Sequence, residues 1–201
     1  MLFRSIVLVD RKSRDKNFSS VSVDDVAGGY MAVKHLIELG RKKIVFAGGP
    51  KSIQQVSDRL KGAEKAVAEH KDVSLEVISC RSLTVFEGRK VGDELVSRAK
   101  TKRPDAVFAA NDLVAIGIMQ VCLNHEGLSI PKNLSLIGYD DIAFASTAIV
   151  ALTSIRQPTL EMGAKAVELL MQIAEDADSK PKVQHIEFQP ELVIRDSTAA
   201  K

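Results

Sequence analysis

Short apolar runs and longer amphipathic stretches alternate along the chain. The runs at residues 5–9 (SIVLV), 43–47 (KIVFA) and 105–110 (DAVFAA) are rich in aliphatic residues, which is typical of strands buried in a parallel sheet. Apolar residues between such runs recur at helical spacing and predict helices. The predicted strands cover residues 5–9, 21–23, 43–47, 75–79, 105–110, 134–139, 152–156, 183–189 and 192–195.

The stretches between these strands carry signals of helix ends. Gly40 is a predicted C-cap, Asp112 a predicted N-cap, and Pro158 is expected in the first turn of its helix. Gly88 and Gly92 are expected to let their helix approach a neighbour closely. The predicted helices cover residues 25–39, 54–70, 86–99, 112–124 and 158–176, and a polar linker covers residues 177–182.

This alternation predicts an α/β protein with doubly wound parallel sheets and right-handed crossovers. Hydrophobic residues make up 45% and charged residues 27% of the chain, as in an ordinary folded domain. The net charge of +2 argues against a surface that grips nucleic acid along its length. We find no run of about 18 apolar residues that could span a membrane, and residues 1–4 do not begin a signal peptide.

The residues that could carry catalysis or bind metal form no recognised motif. The chain has no phosphate-binding loop, dinucleotide fingerprint, nucleophile elbow or zinc-binding helix motif, and its four histidines are scattered. We therefore expect no enzyme, no metal and no cofactor. Cys80 and Cys122 lie in apolar surroundings and are expected to be buried, reduced thiols, which suits a cytoplasmic location.

Polar side chains follow four of the predicted strands directly: Asp10, Asn111, Asp140 and Gln157. In open parallel sheets, ligands bind beyond the carboxyl ends of the strands. Carboxylates accept hydrogen bonds from neighbouring hydroxyl groups, and amides both donate and accept, so the set suits a polyhydroxylated ligand. Arg59, on a helix, adds a rigid fork of donors.

Each of these residues also has a structural interpretation. An acidic residue after a strand often caps a helix or forms a turn, and a lone arginine such as Arg59 is more often a solvated surface residue. Asp112 and Asp141 are interpreted in this way, as an N-cap and a turn acid. The four residues at strand ends are stronger evidence together than any one alone.

Six segments resemble, in order and spacing, the effector-binding core of the lactose/galactose-repressor family over nearly the whole chain. The final LV-x-R-x-ST pattern favours the repressor branch over related periplasmic sugar binders. The segments are VSVDDVAGGYMAVKHLIELGRKKIVFAGGP (21–50), DRLKGAEKAV (58–67), PDAVFAANDLVAIGIMQ (104–120), IPKNLSLIGYDD (130–141), LTSIRQPTLEMGAKAVELL (152–170) and ELVIRDST (191–198).

The resemblance implies a periplasmic-binding-protein-like fold of two doubly wound parallel-sheet lobes joined by three crossovers. The first lobe would hold residues 1–23 and 157–189, and the second residues 24–156 and 190–201. The family has further strand-helix units before residue 5, so the first lobe is expected to be incomplete. Its sheet is expected to show an exposed edge or a partner that covers it.

The resemblance also implies an effector-binding cleft between the lobes. Arg59, Asn111 and Asp140 would contact the polar groups of the effector, and Asp10 and Gln157 would assist across the cleft. An aromatic residue that often stacks on the ligand in this family falls near Leu83, which is followed by Thr84. These two are additional cleft candidates, and stacking on a flat ligand is not expected.

The implied function is effector-controlled transcriptional repression by a cytoplasmic homodimer. The effector would be a sugar, a related polyol or a nucleoside, and operator DNA would be bound only through an N-terminal head absent from these residues. The helix from Pro158 and residues 142–150 are candidates for association. A periplasmic-type sugar carrier is an alternative. Another is an α/β enzyme that uses Asp10, Asp112 or Asp140 as acid-base groups.

Overall fold

The computed structural model describes residues 6–12, 17–175 and 182–201. The chain divides into two compact units, which we call unit 1 (Met1–Asp24 with Gln157–Pro190) and unit 2 (Asp25–Arg156 with Glu191–Lys201). The start of the first predicted strand and residues 177–181 of the predicted linker lie outside the described residues.

Strands and helices alternate through the described residues, as the hydrophobic pattern predicts. The strands are β1 (Val7–Val9), β2 (Ser19–Val23), β3 (Lys43–Gly48), β4 (Ser74–Ser79), β5 (Ala106–Ala109), β6 (Ser135–Asp140), β7 (Thr153–Arg156), β8 (His185–Phe188) and β9 (Glu191–Val193). The α-helices are α1 (Asp25–Glu38), α2 (Gln54–Ala68), α3 (Val85–Ser97), α4 (Asp112–Leu123), α5 (Ala143–Thr147) and α6 (Thr159–Glu175), with a 3-10 helix at Lys100–Lys102.

Unit 2 is built on a six-stranded sheet in the order β4-β3-β5-β6-β7-β9. The pairs are parallel except β7 with β9, which is antiparallel at the sheet edge. Because β3, β5, β6 and β7 run in one direction, the residues that follow them collect at the same end of the strands. We call this end of the sheet the carboxyl rim of unit 2.

Helices cover both faces of the unit 2 sheet, so its central strands β3, β5, β6 and β7 are buried on both sides. The buried apolar side chains of α1 and α2 pack with Phe46 and Phe108 on one face. Those of α3 and α4 pack with Val107 and Leu136 on the other. Gly88 and Gly92 allow α3 to approach α4 closely, as predicted, because added Cβ atoms would collide with Val114 and Val121.

Unit 1 is built on a three-stranded parallel sheet in the order β1-β2-β8. Helix α6 packs against it through Met162, Ala166 and Leu169, which surround the buried residues Val21 and Val23. Within the residues that the structure describes, β1 pairs only with β2 and lies at the edge of the sheet. The opposite face of α6 is exposed and apolar, at Leu160, Val167 and Met171.

One predicted helix cap differs from the structure. Asp112 was predicted as the N-cap of α4, and this is wrong: Asn111 is the N-cap and its Oδ1 accepts a hydrogen bond from the backbone N–H of Val114 at 3.0 Å. Both residue types form caps, and β5 ends at Ala109, one residue earlier than predicted, so the cap moves back one residue. Helix α5 and the short 3-10 helix were not predicted.

Candidate functional site

Arg59 is the central cation of the carboxyl rim. It lies on α2 with only 4% of its surface exposed, so the alternative of a solvated surface arginine is wrong. Its Nε donates to Oδ1 of Asp25 at 2.8 Å, and its Nη1 donates to the carbonyl oxygen of Ala110 at 2.7 Å. A buried guanidinium requires such partners, and they come from α1 and from the loop after β5.

The guanidinium is also held by Tyr139 and Asp140. Its Cζ lies 3.5 Å from the ring centroid of Tyr139, and its Nη2 lies 3.7 Å from Oδ1 of Asp140. Burial lowers the pKa of Arg59, but the negative charges of Asp25 and Asp140 outweigh it, and the net pKa is raised. The arginine is therefore a fixed, permanently charged donor beside a carboxylate.

Asp140, the last residue of β6, stands in an unusual backbone conformation. Its φ is +100° and that of Asp141 is +51°, values that non-glycine residues rarely adopt. Strained positions of this kind persist where the surrounding structure determines them, and they cluster at functional sites. The Asp140 side chain remains 32% exposed, in contrast to Arg59, so it is partly accessible to solvent.

Asn111 follows Ala110 on the same rim, and both the oxygen and the nitrogen of its side-chain amide form hydrogen bonds within the protein. Besides capping α4, it donates from Nδ2 to the carbonyl oxygen of Leu83 at 3.2 Å. Thr84 caps α3 by accepting from the N–H of Glu87 at 3.3 Å, and its side chain is exposed. The structure thus brings Arg59, Asn111, Asp140 and the Leu83–Thr84 segment to the rim. Their contact with an effector stays a prediction.

Asp10 and Gln157 belong to unit 1. Asp10 follows β1, is exposed and has a φ of +56°, whereas Gln157 is buried at the point where the chain re-enters unit 1. The structure confirms that each follows a strand. Their role in effector binding stays a prediction.

Three acidic side chains at the rim lie outside the predicted set of effector-binding residues. Asp25 is buried against Arg59. In the sequence, its only distinguishing feature is that it is an acidic residue at the start of a predicted helix. Asp141 is paired with Arg156 at 2.7 Å and with Arg195 at 2.6 Å, which fits its interpretation as a structural turn acid. Burial raises the pKa of Asp141, but the two arginines lower it by more than burial raises it, so the net pKa is lowered.

Asp112 is the most buried acid of the rim, with no exposed surface. Its Oδ1 accepts from the hydroxyl of Ser154 at 2.6 Å, and its Oδ2 accepts from the backbone N–H of Ile142 at 2.8 Å. Burial is the main cause that raises its pKa from 3.8 to about 7, and the charges of Asp140 and Asp141 add to it.

Neither metal nor membrane features stand out in the part of the chain that the structure describes. No three histidine, cysteine or acidic side chains there cluster as metal ligands. No helix in that part combines the length and apolar character that a membrane span requires. Cys80 and Cys122 are buried and unpaired with each other, as predicted, and burial raises the pKa of each thiol to about 11.

Fold and rim together define an α/β protein of the class that binds ligands at the carboxyl ends of parallel strands. The family model described as "Periplasmic binding protein-like domain" matches residues 33–198, and the chain belongs to this family. Its relatives are bacterial transcriptional repressors of the lactose-repressor type, as the sequence predicted.

Two relatives and one solved structure illustrate the similarity. The arabinose metabolism transcriptional repressor of Geobacillus stearothermophilus is 35% identical over 96% of this chain and 53% of its own. The transcriptional repressor PurR of Aliivibrio fischeri is 35% identical over 85% of this chain and 50% of its own. A LacI family transcriptional regulator from Enterococcus faecium, solved with bound ribose, has a TM-score of 0.88 and 28% identity over 98% of this chain and 72% of its own. The chain thus spans about half the length of the curated relatives it matches.

Proposed function

We propose that this chain is the effector-sensing core of a lactose-repressor-type transcriptional regulator that binds a small sugar-like molecule. The observation that carries the proposal is the buried Arg59 beside the partly exposed Asp140 at the carboxyl rim of unit 2. The relatives add the biological context, because they are transcriptional repressors and one solved neighbour holds ribose.

The chemistry of the pair favours a ligand with neighbouring hydroxyl groups. The Nη2 of Arg59 and the Oδ1 of Asp140 are 3.7 Å apart, longer than a hydrogen bond. One ligand hydroxyl can accept from the arginine and donate to the carboxylate at the same time. Asn111, Asp10 and Gln157 are proposed to contact the remaining polar groups. Leu83 and Thr84 are proposed to border them.

Isothermal titration calorimetry with D-ribose, L-arabinose and adenosine tests this binding. We expect one of them to bind, and Arg59→Ala and Asp140→Ala each to weaken it by at least about tenfold, because each removes a charged hydrogen-bond partner. Arg41→Ala is the matched control. Arg41 is equally buried but lies at the opposite end of the sheet, where it donates to the carbonyl oxygens of Pro131 and Ala199.

The outcomes separate the proposal from its alternatives. Affinity that is unchanged in both rim variants, or lost to the same extent in Arg41→Ala, contradicts the assignment. Turnover of a bound ligand would support an α/β enzyme instead. A periplasmic-type sugar carrier is less favoured because the relatives named above are repressors.

Repression itself is proposed for the whole protein in the cytoplasm. Operator DNA would be bound by an N-terminal head, and effector binding would bias the protein between DNA-binding and released states. An effector can shift that equilibrium only by its different affinity for the two states, typically about 1–3 kcal/mol. Operator titrations of the whole protein, with and without the sugar that binds this chain, test this step. An operator affinity that the sugar leaves unchanged contradicts it.

A homodimer is the proposed assembly. Large apolar side chains are exposed on the helices of one face of unit 2: Phe144 is 72% exposed and Phe86 65% exposed, and Ile149 just beyond α5 is 80% exposed. Such side chains are typical of protein interfaces. Sedimentation of the chain should give a dimer that Phe144→Ser weakens. A monomer at every concentration tested would contradict the proposal.

A further inference from the structure

The turn that carries Asp140 is held by one buried carboxylate. Asp112 accepts directly from the backbone N–H of Ile142 at 2.8 Å, and it also accepts from the hydroxyl of Ser154 at 2.6 Å. The oxygen of Ser154 in turn accepts from the backbone N–H of Asp141 at 3.1 Å. Two consecutive amides of the turn therefore depend on Asp112, one of them through Ser154.

This turn needs such support because its conformation is unfavourable. Asp140 and Asp141 both have positive φ values, a conformation that non-glycine residues rarely adopt. The residue packed against the Asp112 carboxylate is Gly138, where an added Cβ would overlap Oδ1 of Asp112. The absence of a side chain there makes room for the carboxylate beneath the turn.

The charges around Asp112 make its burial costly. Burial raises its pKa most, and the carboxylates of Asp140 and Asp141 raise it further. Arginines lie beside those two carboxylates. Arg59 faces Asp140 from α2, while Arg156 of β7 and Arg195 beyond β9 are paired with Asp141. A buried acid among like charges, held by specific hydrogen bonds, is a candidate for a functional role.

We propose that Asp112 is a positioning residue that fixes the Asp140–Ile142 turn and thereby sets the place of the Asp140 carboxylate for effector binding. The part that concerns the effector rests on the proposed function. The part that concerns the turn does not, so the two can fail separately.

Hydrogen exchange of single amides in the 201-residue chain tests the turn. Asp112→Ala should speed exchange of the Asp141 and Ile142 amides by about tenfold, because each loses its hydrogen-bond support. Asp112→Asn should restore most of the protection, since an amide oxygen still accepts from Ile142. Asp105→Asn is the matched control. Asp105 is a buried carboxylate at the other end of the sheet that accepts from the N–H groups of Lys42 and Lys43.

The pH dependence of this exchange adds a readout that simple loss of packing would not change. The closed turn holds Asp112 at a pKa of about 7, whereas opening admits water and moves the pKa toward 3.8. The closed form therefore binds the proton more tightly. After correction for intrinsic exchange, protection of the Ile142 amide should fall as the pH rises toward 7 and level off above it. Asp112→Asn should abolish this slope.

D-ribose binding, measured by calorimetry, tests the link to the effector. Asp112→Ala should weaken binding by about tenfold, and Asp112→Asn and Asp105→Asn should weaken it much less. If the wild-type chain does not bind ribose, the proposed function fails for that sugar and the exchange result alone decides the role of Asp112. Unchanged exchange in Asp112→Ala, or an equal rise in Asp105→Asn, overturns the proposal, as does ribose binding that Asp112→Ala leaves unchanged.

Discussion

The two units of this chain use the same kind of parallel sheet, but they bury it to different degrees. In unit 2, helices cover the central strands of a six-stranded sheet on both faces, and residues such as Phe108 and Leu136 have no exposed surface. In unit 1, one described helix, α6, packs against the three-stranded sheet, and the opposite face of that helix is apolar and exposed. A strand is held by its neighbours on both edges and both faces, so we expect the units to differ in stability.

A matched pair of core substitutions gives the largest expected effect. Leu136 in β6 and Leu169 in α6 are both almost fully buried, with exposures of 0% and 1%. Leucine-to-alanine changes cost about 2–5 kcal/mol, depending on how far the surroundings can collapse into the cavity. We expect Leu136→Ala to lie near the upper end and Leu169→Ala near the lower end, in urea unfolding followed by circular dichroism. Equal losses would remove the proposed contrast between the units.

Alanine substitutions at two glycines should change the free energy of unfolding in opposite directions. At Gly138 in unit 2, an added Cβ would overlap the Asp112 carboxylate and lie 2.9 Å from Leu152, so Gly138→Ala should cost about 1–3 kcal/mol. Gly163 in α6 has no atom within 4 Å of an added Cβ, and Gly163→Ala should stabilise by about 0.5–1 kcal/mol. Thermal unfolding of both variants checks this, and destabilisation by Gly163→Ala would show that the outer side of α6 is covered.

Much of this architecture was predictable, because the period and length of apolar runs report burial directly. The buried strands β3, β5 and β6 were each found to within a residue or two at either end. Helix α5 was not found, since five residues are too few to show a helical period. The antiparallel direction of β9 was also not predictable, because its partner β7 lies far away in the sequence.

The candidate site was predictable in its residue types but not in its contacts. The strand ends pointed to Asn111 and Asp140, because the carboxyl ends of parallel strands share one edge. Arg59 was identified on a helix, but its burial depends on Asp25, Ala110 and Asp140, which come from three separate segments. Asp112 was assigned to a cap for the same reason: its partners Ile142 and Ser154 are brought to it only by the folded sheet.

Hydrogen exchange should show the contrast between the units in the wild-type chain. Central strand β5 has neighbours on both edges, whereas β1 pairs only with β2 among the described residues. We expect the amides of β1 to exchange at least about tenfold faster than those of β5, because fewer contacts must break to expose them. Equal protection would mean that the edge of unit 1 is covered in solution, and a loss of that protection on dilution would then indicate that another copy of the chain covers it.

Surface substitutions should have the smallest effect on the free energy of unfolding. They distinguish side chains that stay exposed to solvent from side chains that are buried between two copies of the chain. Leu160 is 86% exposed in unit 1 and Phe144 is 72% exposed in unit 2, so neither side chain is buried by its own chain. Leu160→Gln and Phe144→Gln should each change the free energy of unfolding by less than about 0.5 kcal/mol at low protein concentration. If Phe144 lies in a homodimer interface, its variant should become less stable than wild type as the concentration rises, because association stabilises only the native form. A loss of stability for Leu160→Gln with the same concentration dependence would place the opposite face of α6 in the interface as well. If neither variant shows a concentration dependence, neither Phe144 nor Leu160 takes part in self-association.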